Sequence, residues 1–467
     1  MGKLKFHWLV LGLILVLSLT NCIPLETPPD NQNALETIVA LTLTAVAGEA
    51  PAPPPKTDTP DAPAPVETET PDIPTFTPPR ALQVAYIKNG NIYIWTEGES
   101  SVGLTSTGDA VDVSISDDGQ VIAYTRRNPT NDFDYELWAV NTSGPTNARQ
   151  LVSHDEFEAL KTGSPFPDAR SLRPDLFKFR PGTHQLAYNT FAMFEGPVDA
   201  SGEDLRLVNT DTMEKSIIFD FNAGGRFYFS PDGTQVALST PDHISLANAD
   251  GGNLRANVLT FPMVITYSEY RYHPRPYWLS DSSYLRVTIP PEDPIVQPTP
   301  PTALWHVPAD GSPATQLGNI PAIPFAWPDT AFSPNLDRVG YAKSVGEPEQ
   351  NRRELHIANA DGSGDFVVAI GEGVEFWQWT PDGTRFMYAI NGGAEEGAYL
   401  GQLSGGSTLI ASIPSTLNQI RWVDASRFLY FQTNGNVLEL RISDVDGQNH
   451  AFIDTIPDSS GSFDFTQ

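Results

Sequence analysis

The chain has one cysteine, Cys22, in 467 residues. An intrachain disulfide and a CxxC metal or redox site are therefore both excluded. Basic charge is also scarce, with 28 Lys and Arg against 57 Asp and Glu and a net charge of −29. A field this negative repels phosphate backbones, which argues against a nucleic-acid partner. The sequence contains no G-x-S-x-G elbow, no HExxH pair, no phosphate-binding Gly loop and no EF-hand ligand series. The 8 His residues are scattered at roughly one per repeat, so neither a metal site nor a cofactor is expected. Charged residues make up only 18%, while 42 Pro and 36 Gly accompany abundant Thr, Ser and Asn. Such a composition suits strands and turns better than long helices.

At the N-terminus, Lys3 and Lys5 precede an uncharged apolar run at residues 8–19. The run is shorter than the roughly 20 residues that span a bilayer and reads as the core of a secretory signal. The segment LTNC at 19–22 resembles the lipobox of bacterial lipoproteins, with Asn21 where that family usually carries Gly, Ala or Ser. The resemblance implies a signal peptide at 1–21 and lipidation of Cys22. It places the exported protein on the outer face of a bacterial membrane, held there by its lipid. A tether follows at 22–80. Its residues 33–47 could form a short helix, and its Pro- and Thr-rich stretch 48–80 reads as a disordered linker that cannot bury enough apolar surface to fold.

From residue 81 a repeat takes over. Its clearest copies are FSPDGTQVAL at 229–238 and WTPDGTRFMY at 379–388. Degenerate copies are ISDDGQVIAY at 115–124, FRPGTHQLAY at 179–188, LSDSSYLRV at 279–287, FSPNLDRVGY at 332–341 and WVDASRFLY at 422–430. Each unit reads as a strand ending in a bulky residue, a tight Pro-Asp-Gly turn, a returning strand, and two further strands. Units of this length with four strands are blades of a β-propeller. The Asp residues of the turns, Asp118, Asp232 and Asp382, are expected to cap them through backbone N–H groups rather than to bind calcium.

The repeat resembles that of TolB and of the propeller domains in the dipeptidyl peptidase IV and prolyl oligopeptidase families. It covers residues 82–467, and the hydrolase domain of those peptidases is not expected to come with it. Near the C-terminus, GSFDFTQ at 461–467 repeats the first-strand pattern and stops where the turn should come. LQVAY at 82–86 begins where such a turn would end. One blade is thus shared between the termini, and an all-β propeller of eight four-stranded blades is expected over 81–467.

Turns between first and second strands and between third and fourth strands are short throughout. The long connections, 155–175, 189–203, 262–277, 290–302 and 343–353, all belong to the other class and therefore to one face of the disk. Insertions confined to one face of a rigid scaffold mark a binding surface. Within them, residues 267–278 gather Tyr267, Tyr270, Arg271, Tyr272, His273 and Arg275. Tyr, Trp and Arg dominate interface hot spots. Arg170 and Arg173 on the neighbouring insertion are second candidates. The expected function is noncatalytic: a monomeric, membrane-anchored propeller that binds a protein, peptide or glycan of the cell envelope on this face. The alternative is a hydrolase or lyase using Asp168, Glu195 or Asp204 at the channel mouth.

Overall fold

The computed structural model describes residues 81–467 apart from 145–146, 197–199, 267–269, 294–300, 323–330, 347–350, 411–417 and 458–460. Cys22, the signal segment, the tether and Tyr267 lie outside the described residues.

The fold is an all-β propeller of eight blades, each a four-stranded antiparallel sheet. Blade 1 is formed by Gln83–Lys88, Asn91–Thr96 and Val102–Gly103, with Phe463–Thr466 on its inner edge. Blades 2 to 8 follow in chain order. Their innermost strands are Ala110–Ile115, Ser171–Phe179, Arg226–Phe229, Tyr277–Trp278, Ala331–Phe332, Glu375–Trp379 and Asn418–Trp422.

Position in the blade explains the hydrophobic pattern. Second strands are covered on both faces by neighbouring blades, so they read as continuous apolar runs. Val236, Ala237 and Leu238 are at most 1% exposed, and Phe428, Leu429, Tyr430 and Phe431 are equally buried. The outermost strands face solvent and lose this pattern: all of Ser407–Leu409 is exposed. Between second and third strands an aromatic pair recurs on the same face. Tyr86 stacks on Tyr93, Tyr341 on His356 and Tyr388 on Tyr399, with centroids 5.7, 5.0 and 5.1 Å apart. Each pair sits directly opposite in the strand register, where such contacts stabilise a sheet most.

The turn after each first strand is fixed by its own side chains. Asp232 accepts from Ser230 Oγ at 2.6 Å and from the Thr234 N–H at 3.0 Å. Asp382 does the same for Thr380 and Thr384 at 2.5 and 3.1 Å, and Asp118 for Ser116 and Gln120 at 2.7 and 3.1 Å. These are the capping roles expected of the repeat's aspartates. Gly119, Gly233 and Gly383 take φ of +66°, +68° and +67°, a region costly for other residues. In the degenerate copies Ser282 and Leu336 are forced into the same region.

Closure follows from the inner edge of blade 1. Gln83 pairs with Thr466, Val84 with Phe465, Ala85 with Asp464 and Tyr86 with Phe463. Phe463 is 3% exposed and meets Phe431 of blade 8 edge-on at 5.1 Å. The shared blade joins the ends of the array and removes two open sheet edges.

The insertions add two local elements. Between blades 2 and 3, Ser153 and Glu156 form a reciprocal capping box that starts the helix His154–Lys161. That S-x-x-E signal is legible in the sequence. The helix buries Phe157 against Tyr188 at 6.2 Å. Between blades 4 and 5, Ile265–Thr266 and Tyr270–Arg271 form a two-stranded hairpin.

Candidate functional site

The two faces of the disk are built differently. On the short-turn face neighbouring turns are bonded to one another around part of the ring. Thr466 Oγ1 donates to the Asp117 carbonyl at 2.5 Å, and the Gly182 N–H donates to the Asp117 carboxylate at 2.7 Å. Arg180 Nε donates to the Gly233 carbonyl at 2.7 Å, and the Asp232 N–H to Ser282 Oγ at 3.3 Å. His184 bridges Asp118 and Asp211, with its ring nitrogens 2.9 and 2.6 Å from their carboxylates. Burial disfavours the His184 cation, but the hydrogen bonds that its ring donates to both carboxylates prevail and raise its pKa. These contacts lock blades together through groups that a ligand would otherwise use.

On the insertion face the candidates gathered by sequence are split. Tyr270 pairs through its backbone with Thr266, and Arg271 with Ile265. The Arg271 guanidinium reaches Glu203 of blade 3 at 3.8 Å, so the hairpin is tied to the insertion of that blade. The Tyr272 N–H donates to the Val264 carbonyl at 2.9 Å. His273 is 7% exposed, and the next carbonyl, that of Pro274, accepts from Ser239 Oγ at 2.5 Å. His273 is therefore a packed residue beneath the surface. Arg275 emerges beyond it, exposed, with its guanidinium 5.2 Å from the Tyr277 ring. Of the second candidates, Arg170 pairs with Glu195 and lies over Phe133 at 5.6 Å. Arg173 is clamped between the rings of Tyr135 and Phe191 at 5.8 and 5.2 Å. Arg271, Tyr272 and Arg170 remain partly or fully exposed, while Arg173 is mainly a packing residue.

Arg275 belongs to a larger arrangement in the channel, most of which sequence reasoning missed. A cavity of about 680 Å³ is lined by Lys178, Arg226, Tyr228, Arg275, Tyr277 and Trp278, among others. A second, of about 350 Å³, is lined by Asp112, Ser114, Lys178, Arg421, Ser462 and Asp464, among others. The two share Asp175, Leu176 and Lys178 and so are contiguous. The lining follows the repeat. Ser114, Lys178, Tyr228, Tyr277, Arg421 and Asp464 each fall immediately before the bulky residue that ends a first strand. Two residues earlier come Asp112, Leu176, Arg226, Arg275, Gln419 and Ser462. The strand period of two places each set on one tier of the wall. Aligning the copies at that bulky residue was the signal that could have found them.

The channel's charge is not the protein's charge. Its acids are engaged by donors: Asp464 accepts the Ile115 N–H at 3.0 Å and pairs with Arg421 at 2.8 Å. Asp112 accepts from Ser462 Oγ at 2.5 Å and from the Val113 N–H at 2.8 Å. Lys178 and Arg226 are exposed to the channel and have no carboxylate at ion-pair distance among the described residues. The channel wall strips hydration from the Lys178 ammonium and pushes its pKa below the ordinary lysine value. Arg421 and Arg275 push the same way, against Asp464 and Asp112.

The acids suggested for catalysis do not converge. Asp204 is fully buried, accepting the Thr190 N–H at 2.8 Å and Arg206 Nε at 2.7 Å. Its burial raises its pKa against those same partners. Glu195 is paired with Arg170, and Asp168 is exposed. None of the three lines either channel cavity.

No family model matches this sequence, and no curated protein matches it. Solved structures similar to it include dipeptidyl peptidase 4 of Porphyromonas gingivalis, at 10% identity over 79% of this chain and 57% of that one, with a TM-score of 0.50. The propeller domain of a trilobed protease from Pyrococcus furiosus matches at 11% identity, covering 74% and 95%, with a TM-score of 0.43. TolB from Acinetobacter baumannii matches at 16% identity, covering 62% and 64%, with a TM-score of 0.31. The repeat's resemblance to TolB and peptidase propellers is thus met by neighbours of both kinds. At these identities the likeness is one of fold.

Proposed function

We propose that this propeller is a noncatalytic binding module, held by lipid at Cys22 on the outer face of a bacterial membrane, that takes a protein, peptide or glycan partner on its insertion face. The observation that carries the reading is the contrast between faces. One is stitched turn to turn by bonds such as Gly182 to Asp117 and Arg180 to Gly233. The other bears the helix His154–Lys161, the hairpin tied through Arg271 to Glu203, and Arg275 at the channel. A scaffold with one locked face presents its ligand groups on the other. The dispersal of Asp168, Glu195 and Asp204 supports a binding role over the hydrolase or lyase alternative, which needs paired groups at catalytic separation.

The test is affinity capture of partners from the cell envelope with the full chain, followed by measured affinities. Arg271→Ala and Tyr272→Ala are expected to cost about 1–3 kcal/mol of binding, as hot-spot truncations do. Asp310→Ala, in a short turn where Asp310 caps the Ser312 N–H at 2.8 Å, is expected to leave affinity unchanged. Equal losses on both faces, or none on either, would overturn the assignment.

A further inference from the structure

We infer that the channel is a binding site for an organic carboxylate, with Lys178 and Arg226 as its principal anchors, Arg275 and Arg421 beside them, and Tyr277 and Trp278 as the surface on which the ligand's body lies. In a chain with about twice as many acids as bases, four cations converge on two contiguous cavities. The three acids that share those cavities are Asp112, Asp175 and Asp464. Two of these are held by hydrogen bonds from Ser462, Val113 and Ile115 or by the ion pair with Arg421. Asp175 lies 4.0 Å from Arg173, whose guanidinium also packs on the rings of Tyr135 and Phe191. Among the described residues Lys178 and Arg226 therefore remain without an ion-pair partner, and both line the same 680 Å³ space, from the neighbouring blades 3 and 4.

The remainder of that wall selects the ligand's character. Leu176, Phe179, Tyr228, Phe229, Tyr277 and Trp278 supply apolar and ring surface, which a bare inorganic ion would leave in contact with water. Trp278 is fixed by its Nε1 donating to the Tyr228 carbonyl at 2.9 Å, so the ring is held in place before a ligand arrives. A cavity with ring walls and a few convergent charges is what a ligand with an apolar or sugar-like body and an anionic group requires. The Lys178 pKa is lowered chiefly by desolvation at the channel wall, with like-charge crowding by Arg421 and Arg275 adding to it against Asp464 and Asp112. An incoming carboxylate would relieve that crowding, and guanidinium groups would bind it through paired N–H donors.

This deepens the reading of the insertion face as the binding face, because Arg226 and Arg275 lie on the channel tier towards that face. The test uses small probes, so it succeeds or fails separately from the capture of a macromolecular partner. The full chain is titrated at low salt with glucuronate, glucose and inorganic phosphate, following heat and tryptophan fluorescence. Glucuronate is expected to bind at least tenfold more tightly than glucose or phosphate and to weaken as salt screens the cations. Lys178→Met and Arg226→Ala are each expected to weaken glucuronate at least tenfold. Arg255→Ala, beside a cavity on the short-turn face, should leave it unchanged. If Lys178→Met does not fold, Arg226→Ala carries the test, since that side chain is exposed and supports no packing cluster. Absence of saturable glucuronate binding by the unmodified chain would overturn the inference. So would equal affinity for phosphate or glucose, or a loss in Arg255→Ala matching that of the channel variants.

Discussion

Arg421 of blade 8 and Asp464 of blade 1 stand 2.8 Å apart on the channel wall. The same carboxylate accepts the Ile115 N–H of blade 2 at 3.0 Å, so one side chain joins three consecutive blades at the point where the ring closes. Closure and the channel's charge pattern are therefore built from the same residues.

Closure should be measurable as stability. Phe463→Ala removes a ring that is 3% exposed and packed between blades 8 and 1, and is expected to cost about 3 kcal/mol in urea unfolding. Deleting residues 460–467 should cost more and promote aggregation, because it exposes Gln83–Lys88 as an unpaired edge. A truncated chain that melts like the full one would show that the ring is not held by this strand.

Packing between blades 6 and 7 sets a second test. A Cβ at Gly340 would stand 2.4 Å from the Phe376 ring, which is itself 3% exposed and has no room to withdraw. Gly340→Ala is expected to destabilise by about 1–3 kcal/mol through overpacking. Unchanged thermal unfolding would mean that the two blades sit further apart than described.

His184 links stability to pH. Its raised pKa means that the bridge to Asp118 and Asp211 contributes fully below the ordinary histidine value of about 6.5, and that this contribution is lost as pH rises through the higher folded value. At the acid end, Asp118 has a lowered pKa, so the pair persists until pH falls through that value. The bridge is partly exposed, and its worth is below about 1 kcal/mol. Between pH 5.5 and 8.5 the unmodified chain should lose more stability than His184→Gln. Identical pH profiles would remove the bridge from the account.

Lys178 links ligand binding to pH. With its pKa depressed, it discharges before ordinary lysines titrate near 10.4, so glucuronate affinity should fall on the alkaline side earlier than a free lysine would dictate. Lys178→Met should flatten that part of the profile. A midpoint at the ordinary lysine value in the unmodified chain would count against a crowded channel ammonium.

Attachment to the membrane is tested at Cys22. Cys22→Ser is expected to move the protein from the membrane to the soluble fraction of fractionated cells. Retention of the variant in the membrane would favour an uncleaved signal anchor over lipidation.

The sequence by itself determined the architecture, because its signals are local. Pro, Asp and Gly fix each turn within four residues, as the bonds of Asp232 to Ser230 and Thr234 display. The apolar second strands report burial between blades wherever they recur. Even closure was legible, since FDFT at 463–466 repeats a first strand that lacks its turn. The helix at His154–Lys161 carries a local signal of the same kind, the capping box of Ser153 and Glu156. The site was legible only in outline. Residues 267–278 look like one aromatic and basic cluster along the chain, yet the fold sends Arg271 to Glu203, buries His273 and turns Arg275 into the channel. Only the tertiary structure could bring Arg275 together with Lys178 and Arg226, or place Ser462 against Asp112 at a separation of 350 residues. Turn and strand preferences act between neighbours in sequence, whereas a charged channel exists only after a ring of eight blades has closed around it.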